Sequence, residues 1–233
     1  MPDPTAVRSM FARISGRYDL LNRTLSLGID QRWRRRVVER AGAVRGRIVV
    51  DACCGTGDLA LAFARKGAKV LGVDFTPEML RRAGPKRRPG RGGLLFAQGD
   101  ALRLPVSDDA ADVCSVAFGI RNVADRRQGL LEMKRVVRAG GSVLVLEFSE
   151  PVSPPFRAMY RLYFTKLLPR LGRLVSGDGE AYEYLPRTVL AWPDPDTFQG
   201  EMEDVGLVSC GYERLTQGIV CLHWGSVPAG SPS

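Results

Sequence analysis

Short apolar runs alternate with helical patterns between residues 46 and 148, and this alternation leaves few folds open to the chain. The helical patterns are GDLALAFARKG, TPEMLRRA (Thr76 as N-cap, Pro77 as first helical residue) and DRRQGLLEMKRVVRAGG, the last closed by glycines at 140 and 141. Strands alternating with helices predict an α/β domain with a largely parallel sheet. The five predicted strands are RIVVDACC, AKVLGVDF, LLFAQGD, DVCSVAFG and SVLVLEF.

The alternation stops near residue 150. Residues 151–190 are punctuated by proline and rich in aromatic and aliphatic side chains, which predicts a helical insertion over one end of the sheet. A helix near 196–205 and two strands, SCGYERLT and GIVCLHW, follow, and the short turn between these strands makes the last one antiparallel. We assign residues 46–225 to this seven-stranded domain, 1–45 to an N-terminal helical segment and 226–233 to a disordered tail.

Composition excludes several classes of protein. A chain of 233 residues, 45% hydrophobic, can bury the core of one sizeable domain. Five cysteines without C-x-x-C spacing and a single histidine give neither a disulfide framework nor a metal site. Without a long apolar run or a signal peptide, we expect a cytoplasmic protein.

The net charge of +9 is concentrated in two stretches. Residues 32–36 carry four arginines around Trp33, and a helix here would turn Trp33 to the core while the arginine heads reach solvent. Residues 81–92 carry six basic residues and no acid, but proline and glycine interrupt them, so we expect a solvated loop.

A glycine-rich turn follows the first predicted strand. Residues 55–60, GTGDLA, match G-x-G-x-x-G/A, and Asp74 ends the second strand, a combination that alone fits a dinucleotide. However, Asp51 and Asp58 flank the turn, and carboxylates oppose a pyrophosphate at a helix N-terminus. S-adenosylmethionine carries an ammonium and a sulfonium but no phosphate, so the same carboxylates favour it.

Acidic residues follow three successive strands. Asp74 would hold the ribose of S-adenosylmethionine, and Asp100, followed by Ala101, would bind the adenine amino group. The arrangement predicts a methyltransferase rather than a nucleotide-dependent oxidoreductase. The Asn/Asp-Pro-Pro-aromatic motif of amino-group methyltransferases is missing after the fourth strand, where the chain reads FGIRNVAD. An RNA methyltransferase using the basic loop therefore remains the less favoured alternative, and we expect no nucleic-acid partner.

The chain resembles the ubiquinone/menaquinone biosynthesis C-methyltransferases over residues 7 to 225. The shared stretches are FARISGRYDLLNRTLSLGIDQRWRR, GTGDLA, FGIRNVAD, VLEFS, YEYLPRTVLAWPDPDTF and LTQGIVCLHWG. The resemblance implies a Rossmann-like S-adenosylmethionine-dependent methyltransferase fold. It also implies methylation of a ring carbon of a polyprenylated demethylmenaquinol, with the 2-polyprenyl-6-methoxy-benzoquinol of the ubiquinone pathway as the alternative acceptor.

The resemblance also implies which residues contact the methyl donor. Ala117 stands where many ubiquinone-type relatives have serine, which favours the menaquinone branch. Cys53 and Cys54 replace the small residues usual in the turn, and we interpret both as packing residues. The implied donor contacts are Thr56, Asp74, Asp100 and Ala101, and we add Gly55, Gly57 and Asp51 from the turn.

Arg121 and Asn122 are the predicted catalytic pair. A quinol hydroxyl ionises near pKa ~10, as tyrosine does, and a cation beside it would lower that value. We assign this role to Arg121, with a salt bridge that only ties the loop as the alternative, and Asn122 would orient a hydroxyl or a water.

Three residues are candidates for the general base: Asp19, Tyr182 and His223. His223 lies five residues into the last predicted strand, about 16–17 Å from its start, so we expect a structural histidine. Asp19 lies in the N-terminal segment, where together with Tyr18 and Asn22 it would form a lid over the donor.

A polyprenylated substrate resides in a membrane. The insertion 151–190 combines leucine and aromatic residues with arginines, so we expect it to cover the prenyl tail and to meet the inner face of the cell membrane peripherally. The alternative occupant of its apolar faces is a second copy of the chain in a homodimer.

Overall fold

The computed structural model describes residues 3–26, 28–86, 93–163, 165 and 179–229, and within these ranges it contains a seven-stranded sheet. The strands are β1 (Ile48–Ala52), β2 (Lys69–Asp74), β3 (Leu94–Gln98), β4 (Ala111–Ala117), β5 (Val137–Phe148), β6 (Val208–Leu215) and β7 (Val220–Ser226). The α-helices are α1 (Pro4–Ile14), α2 (Tyr18–Leu25), α3 (Asp30–Arg40), α4 (Asp58–Arg65), α5 (Pro77–Ala83), α6 (Arg126–Arg135), α7 (Pro154–Leu162), α8 (Gly179–Leu190) and α9 (Pro195–Asp204).

The strand order is β3-β2-β1-β4-β5-β7-β6. The pairs from β3 through β5 are parallel, whereas β7 runs antiparallel to both β5 and β6. This confirms the predicted seven-stranded, mostly parallel sheet with its last strand antiparallel. The winding direction reverses between β1 and β4, and in open α/β sheets ligands bind outside the carboxyl ends of the strands at such a point.

Helices cover both faces of the sheet because successive side chains of a buried strand alternate between two apolar layers. Val49 of β1 joins the layer under α3 and α4, and its neighbour Val50 joins the layer under α6 and α9. A third, smaller cluster joins α1 to α7 and α8 through Met10, Tyr160 and Val189. The N-terminal segment and the insertion therefore meet at the carboxyl end of the sheet.

The helix predicted over 125–141 is wrong in its second half. The helix α6 ends at Arg135, and β5 begins at Val137, which pairs with Ala111 across a bulge. A Cβ on Gly141 would lie 2.5 Å from Val137 Cγ1 and 2.7 Å from the Asp112 carbonyl oxygen. The glycines thus permit a close approach of strands and do not close a helix.

The arginine cluster also departs from expectation. Trp33 is buried as predicted, but Arg34 is equally buried, at 7% exposure, and pairs with Asp30 over 2.7 Å.

Residues 87–92 of the basic loop lie outside the described ranges, as do residues 164, 166–178 and 230–233. Val227 exchanges backbone hydrogen bonds with Gly140 and Gly141, so the sheet takes in the start of the segment assigned to the tail. No helix in the described ranges is long and apolar enough to cross a membrane.

Candidate active site

The glycine-rich turn lies between β1 and α4 and is fixed by backbone geometry. Gly55 and Gly57 both have positive φ, 55° and 80°, where side chains are rarely tolerated. A Cβ on Gly57 would also lie 2.6 Å from the Phe96 ring. The Gly55 N–H donates to Asp74 Oδ2 over 2.7 Å, which ties the turn to the end of β2.

Asp74 and Asp100 face the same cavity, as the sequence predicted from their places after β2 and β3. Asp74 Oδ1 accepts the Thr76 N–H over 2.8 Å, and Asp100 Oδ1 accepts the Leu102 N–H over 2.9 Å. Burial raises the pKa of Asp74 despite the hydrogen bonds from Thr76 and Gly55. The cavity has a volume of about 120 Å³, and its lining includes Gly55, Asp74, Asp100 and Ala101 together with Phe11 and Tyr18 of the N-terminal helices. We call it the donor cavity.

Asp51 lies beneath the turn, only 1% exposed. Its Oδ1 accepts the Ser115 hydroxyl over 3.1 Å, while Oδ2 has no hydrogen-bond partner within the described residues. Burial, opposed by the Ser115 bond, raises the pKa of Asp51 to about 7. An unpartnered, buried carboxylate oxygen is costly unless a ligand satisfies it.

Asp19 joins α2 to the turn. The Thr56 hydroxyl donates to Asp19, and Lys86 Nζ lies 2.6 Å from Asp19 Oδ2 and 2.8 Å from Asp58 Oδ1. Burial would raise the pKa of Asp58, but the bond from Lys86 and the charges of Lys86, Arg34 and Arg23 together outweigh it, and the pKa is lowered. Lys86 thus pairs with both Asp19 and Asp58, and Asp19 also accepts the Thr56 hydroxyl; we call this arrangement the Lys86 clasp.

Arg121 and Asn122 lie in a 3₁₀ turn after β4. Arg121 Nη1 donates to Glu147 Oε1 over 2.6 Å and to the Phe118 carbonyl over 2.7 Å. The Arg121 side chain is 7% exposed and that of Glu147 fully buried. Burial, opposed by the charge of Arg121, raises the pKa of Glu147. The ion pair named as the alternative role of Arg121 is therefore present.

Asn122 connects the donor cavity to the insertion. Its Oδ1 accepts the Tyr184 hydroxyl over 3.0 Å, and its Nδ2 lies 3.4 Å from the Phe118 carbonyl oxygen. Asn122 lines the donor cavity, whereas Arg121 and Tyr184 line a neighbouring groove of about 1130 Å³, here called the acceptor groove. The acceptor groove lies between α1, the 3₁₀ turn, α8 and α9, and its apolar lining includes Val7, Met10, Ile120, Val123, Ala191 and Trp192.

Sequence reasoning missed Glu147, Tyr184 and Arg34. Glu147 is an acid at the end of an otherwise apolar strand, and that position was a usable signal. Tyr182, the predicted candidate, lies in α8, but its side chain is outside the described part of the structure.

His223 is fully buried, with Nε2 3.3 Å from the Pro195 carbonyl oxygen, and burial lowers its pKa to about 4. It lies on the central part of β7, opposite Val145, and lines neither the donor cavity nor the acceptor groove.

Cys53 and Cys54 face different neighbours: Cβ positions built on Gly119 and Gly72 would lie 2.4 Å from Cys53 Cβ and 3.0 Å from Cys54 Sγ. The two thiols pack separately.

Several solved structures similar to this one are described as methyltransferases. A SAM-dependent methyltransferase from Thermotoga maritima, described as a possible histamine N-methyltransferase, has a TM-score of 0.64 at 16% identity, covering 94% of this chain and 99% of that chain. Another from Aquifex aeolicus has a TM-score of 0.62 at 15% identity, covering 97% and 100%. At such identities the similarity establishes the Rossmann-like methyltransferase fold.

Curated relatives are much closer in sequence. A demethylmenaquinone methyltransferase of Deinococcus radiodurans is 47% identical over 92% of this chain and 89% of its own length. A ubiquinone/menaquinone biosynthesis C-methyltransferase UbiE of Syntrophotalea carbinolica is 48% identical, covering 94% and 92%. The model of the ubiE/COQ5 methyltransferase family matches residues 2–227. The chain therefore belongs to the ubiE/COQ5 methyltransferase family.

Proposed function

We propose that this protein transfers a methyl group from S-adenosylmethionine to a ring carbon of a polyprenylated demethylmenaquinol, giving menaquinol. The observation that carries the proposal is the meeting of the donor cavity and the acceptor groove at Val7, Val123 and Ala124, in a chain whose relatives are named for this reaction. Other relatives are named for ubiquinone as well, so the benzoquinol of that pathway is the second candidate acceptor.

The donor cavity fits the chemistry of S-adenosylmethionine. When bound, this donor supplies an electrophilic methyl group on a sulfonium. Asp74 would accept the two ribose hydroxyls, and Asp100 with Ala101 would bind the adenine. The unpartnered Oδ2 of Asp51 would accept the ammonium. Gly55, Thr56 and Gly57 would hold the backbone of the turn against the ligand.

The N-terminal segment acts as a lid in this proposal. The donor cavity, at about 120 Å³, is smaller than the ~300 Å³ at which ligand pockets usually begin. Helices α1 and α2 line it through Phe11 and Tyr18, and the Lys86 clasp holds α2 to the turn. The donor would therefore enter by displacement of these helices, and their return would exclude water from the reaction.

The acceptor ring would lie at the boundary of the two cavities. A positive charge beside a quinol hydroxyl stabilises the phenolate, which raises electron density on the ring carbon that attacks the methyl group. Arg121 would supply that charge and Asn122 would orient the hydroxyl. Asp19 bonds to both Lys86 and Thr56, so we assign it to holding the lid rather than to accepting the quinol proton. Tyr182 remains the candidate base.

The assay that tests the function uses labelled S-adenosylmethionine with analogues of demethylmenaquinol and of 2-polyprenyl-6-methoxy-benzoquinol, each reduced and oxidised. Label in the reduced naphthoquinol alone supports the proposed acceptor and mechanism. Label in both quinols indicates an enzyme of both pathways. Donor binding without label in either quinol would overturn the quinol assignment.

Donor binding should tighten as the pH rises. Because burial raises the pKa of Asp51 to about 7, the carboxyl is largely neutral at pH about 6 and ionised at about 8. An ammonium favours the ionised form, so binding near pH 7 should release a proton. Besides burial, the groups that act on Asp51 are Ser115, Arg34, the backbone of Ala60 and Asp74. Calorimetry in buffers of different ionisation enthalpy measures the proton, and Asp51→Asn should remove the pH dependence. A pH-independent wild-type affinity would contradict this role.

The insertion would also dock the protein on a membrane surface, on the cytoplasmic face in our proposal. Val152, Met159 and Leu162, at the start of the insertion, are 56–62% exposed. Arg161 is paired with Glu150, so the apolar side chains rather than charge would carry the attachment. Met159→Glu should reduce co-sedimentation with anionic liposomes several-fold, while Leu95→Glu, an equally exposed change on β3, should not. Equal binding of both variants would argue against docking through α7.

A further inference from the structure

Arg34 lies on α3, in the N-terminal segment, yet it reaches the floor of the site. A cavity of about 20 Å³ is lined by Arg34 and Asp51 together with Tyr18, Cys53 and the turn residues Gly55 and Thr56. This volume accommodates one small polar group. Tyr18, Cys53, Gly55 and Ala117 line both this small cavity and the donor cavity, so the two are neighbours.

The guanidinium of Arg34 is held in place by Asp30, but only part of its hydrogen-bonding capacity is used. Within the described residues, its hydrogen bonds leave from Nη1 alone, to Asp30 Oδ2 over 2.7 Å and to the Asp30 carbonyl over 3.3 Å. A guanidinium has five N–H donors. Its Cζ lies 5.5 Å from the centre of the Phe118 ring, so the cation packs against the aromatic ring. The charge of Arg34 also acts on both Asp51 and Asp58.

The amino-acid end of S-adenosylmethionine carries an α-ammonium and an α-carboxylate. The ammonium can be met by Asp51, but the acids around the turn would repel the carboxylate. The other cation of the turn, Lys86, is already paired with both Asp19 and Asp58. Arg34 is the cation that lines the small cavity together with Asp51, whose Oδ2 has no hydrogen-bond partner within the described residues.

We propose that Arg34 binds the α-carboxylate of the methyl donor while Asp51 binds its α-ammonium, so that the two recognise the amino-acid end as a zwitterion. The inference rests on the proposed function for the identity of the donor. The N-terminal segment would then contribute a donor-binding residue as well as a cover. Arginine suits this position because its fork can bind Asp30 through one nitrogen and a carboxylate through others.

The test compares ligands that differ only at the amino-acid end. Calorimetry measures binding of S-adenosylhomocysteine, of its decarboxylated analogue, which keeps the ammonium, and of 5′-methylthioadenosine, which lacks both groups. Arg34→Gln should weaken S-adenosylhomocysteine at least roughly 30-fold, the loss expected when a buried charge pair is broken. It should leave the other two ligands unchanged. Asp51→Asn should weaken both ammonium-bearing ligands and spare 5′-methylthioadenosine.

Arg34→Gln leaves Asp30 buried without its partner, so folding needs a control. The double variant Asp30→Asn/Arg34→Gln removes both charges, and its affinity for 5′-methylthioadenosine reports an intact site. The proposal is overturned if this variant binds S-adenosylhomocysteine as tightly as wild type, or if it loses all three ligands equally while melting as wild type does. Since binding is measured without an acceptor, a failed quinol assay would overturn the acceptor and not the role of Arg34.

Discussion

Replacing Asp74 by alanine should remove most of the affinity for S-adenosylmethionine, by roughly 10²–10⁴-fold. The carboxylate would accept two ribose hydroxyls, and a hydrogen bond to a charged group contributes about 1.5–3 kcal/mol, so losing both costs about 3–6 kcal/mol. The side chain also accepts the N–H groups of Gly55 and Thr76, and without it the turn that faces the donor is left unsupported. Calorimetric titration with S-adenosylhomocysteine measures the loss.

Asp112 provides the matched control for this change. Its Oδ2 accepts the Ile48 N–H over 2.7 Å, and it pairs with Arg138, so it also supports a backbone segment. However, Ile48 opens β1, at the end of the sheet opposite the donor cavity. Asp112→Ala should lower thermal stability without changing donor affinity. If it weakened donor binding as much as Asp74→Ala, the effect of Asp74 would be one of folding and not of contact.

The donor cavity was predictable because its residues follow one local rule. Parallel strands present their carboxyl ends at the same edge, so acids at the ends of β1 and β2 and just after β3 must converge. Gly57 was predictable as part of the glycine-rich turn, and as N-cap of α4 it has a φ of 80°, a conformation that favours glycine. Neither inference requires knowledge of distant contacts.

The missed residues depend on distant contacts. Arg34 is buried because it forms an ion pair with Asp30, one turn earlier, and packs against Phe118. Arginine is usually exposed, so the sequence alone predicts a solvent-facing side chain here. Tyr184 meets Asn122 across 62 residues of chain. The start of β5 was missed because Gly140 and Gly141 suit a helix end and a strand bulge equally well, and only the pairing of Val137 with Ala111 decides.

Arg121→Met should lower both the free energy of unfolding and the rate of methyl transfer, and the two losses can be separated. Glu147 is fully buried and would lose its cation, and breaking a buried ion pair by removing one partner costs about 3–5 kcal/mol of unfolding free energy. Burial raises the pKa of Glu147, and without Arg121 it rises further. Below the raised pKa of wild-type Glu147 the carboxyl is neutral in both proteins, so the deficit should grow as the pH rises through that pKa and level off above the still higher pKa of the variant. Denaturant unfolding across the pH range measures it.

The double variant Arg121→Met/Glu147→Gln separates the two roles of Arg121. It leaves no buried charge, so most of the lost stability should return, whereas methyl transfer should remain at least roughly 10²-fold low if Arg121 stabilises the phenolate. Restored activity would instead mean that the arginine only ties the loop.

The control for the acceptor groove is Arg126→Met. Arg126 lines the same groove, and its pair with Glu201 is about one-third exposed, so its loss should cost under about 1 kcal/mol and leave turnover nearly unchanged.

Glu147→Gln completes the comparison. Arg121 keeps its bond to the Phe118 carbonyl but loses the opposing charge, so a quinol beside it should ionise more readily. The pH profile of turnover should then shift to lower pH, a change that a purely structural ion pair would not produce.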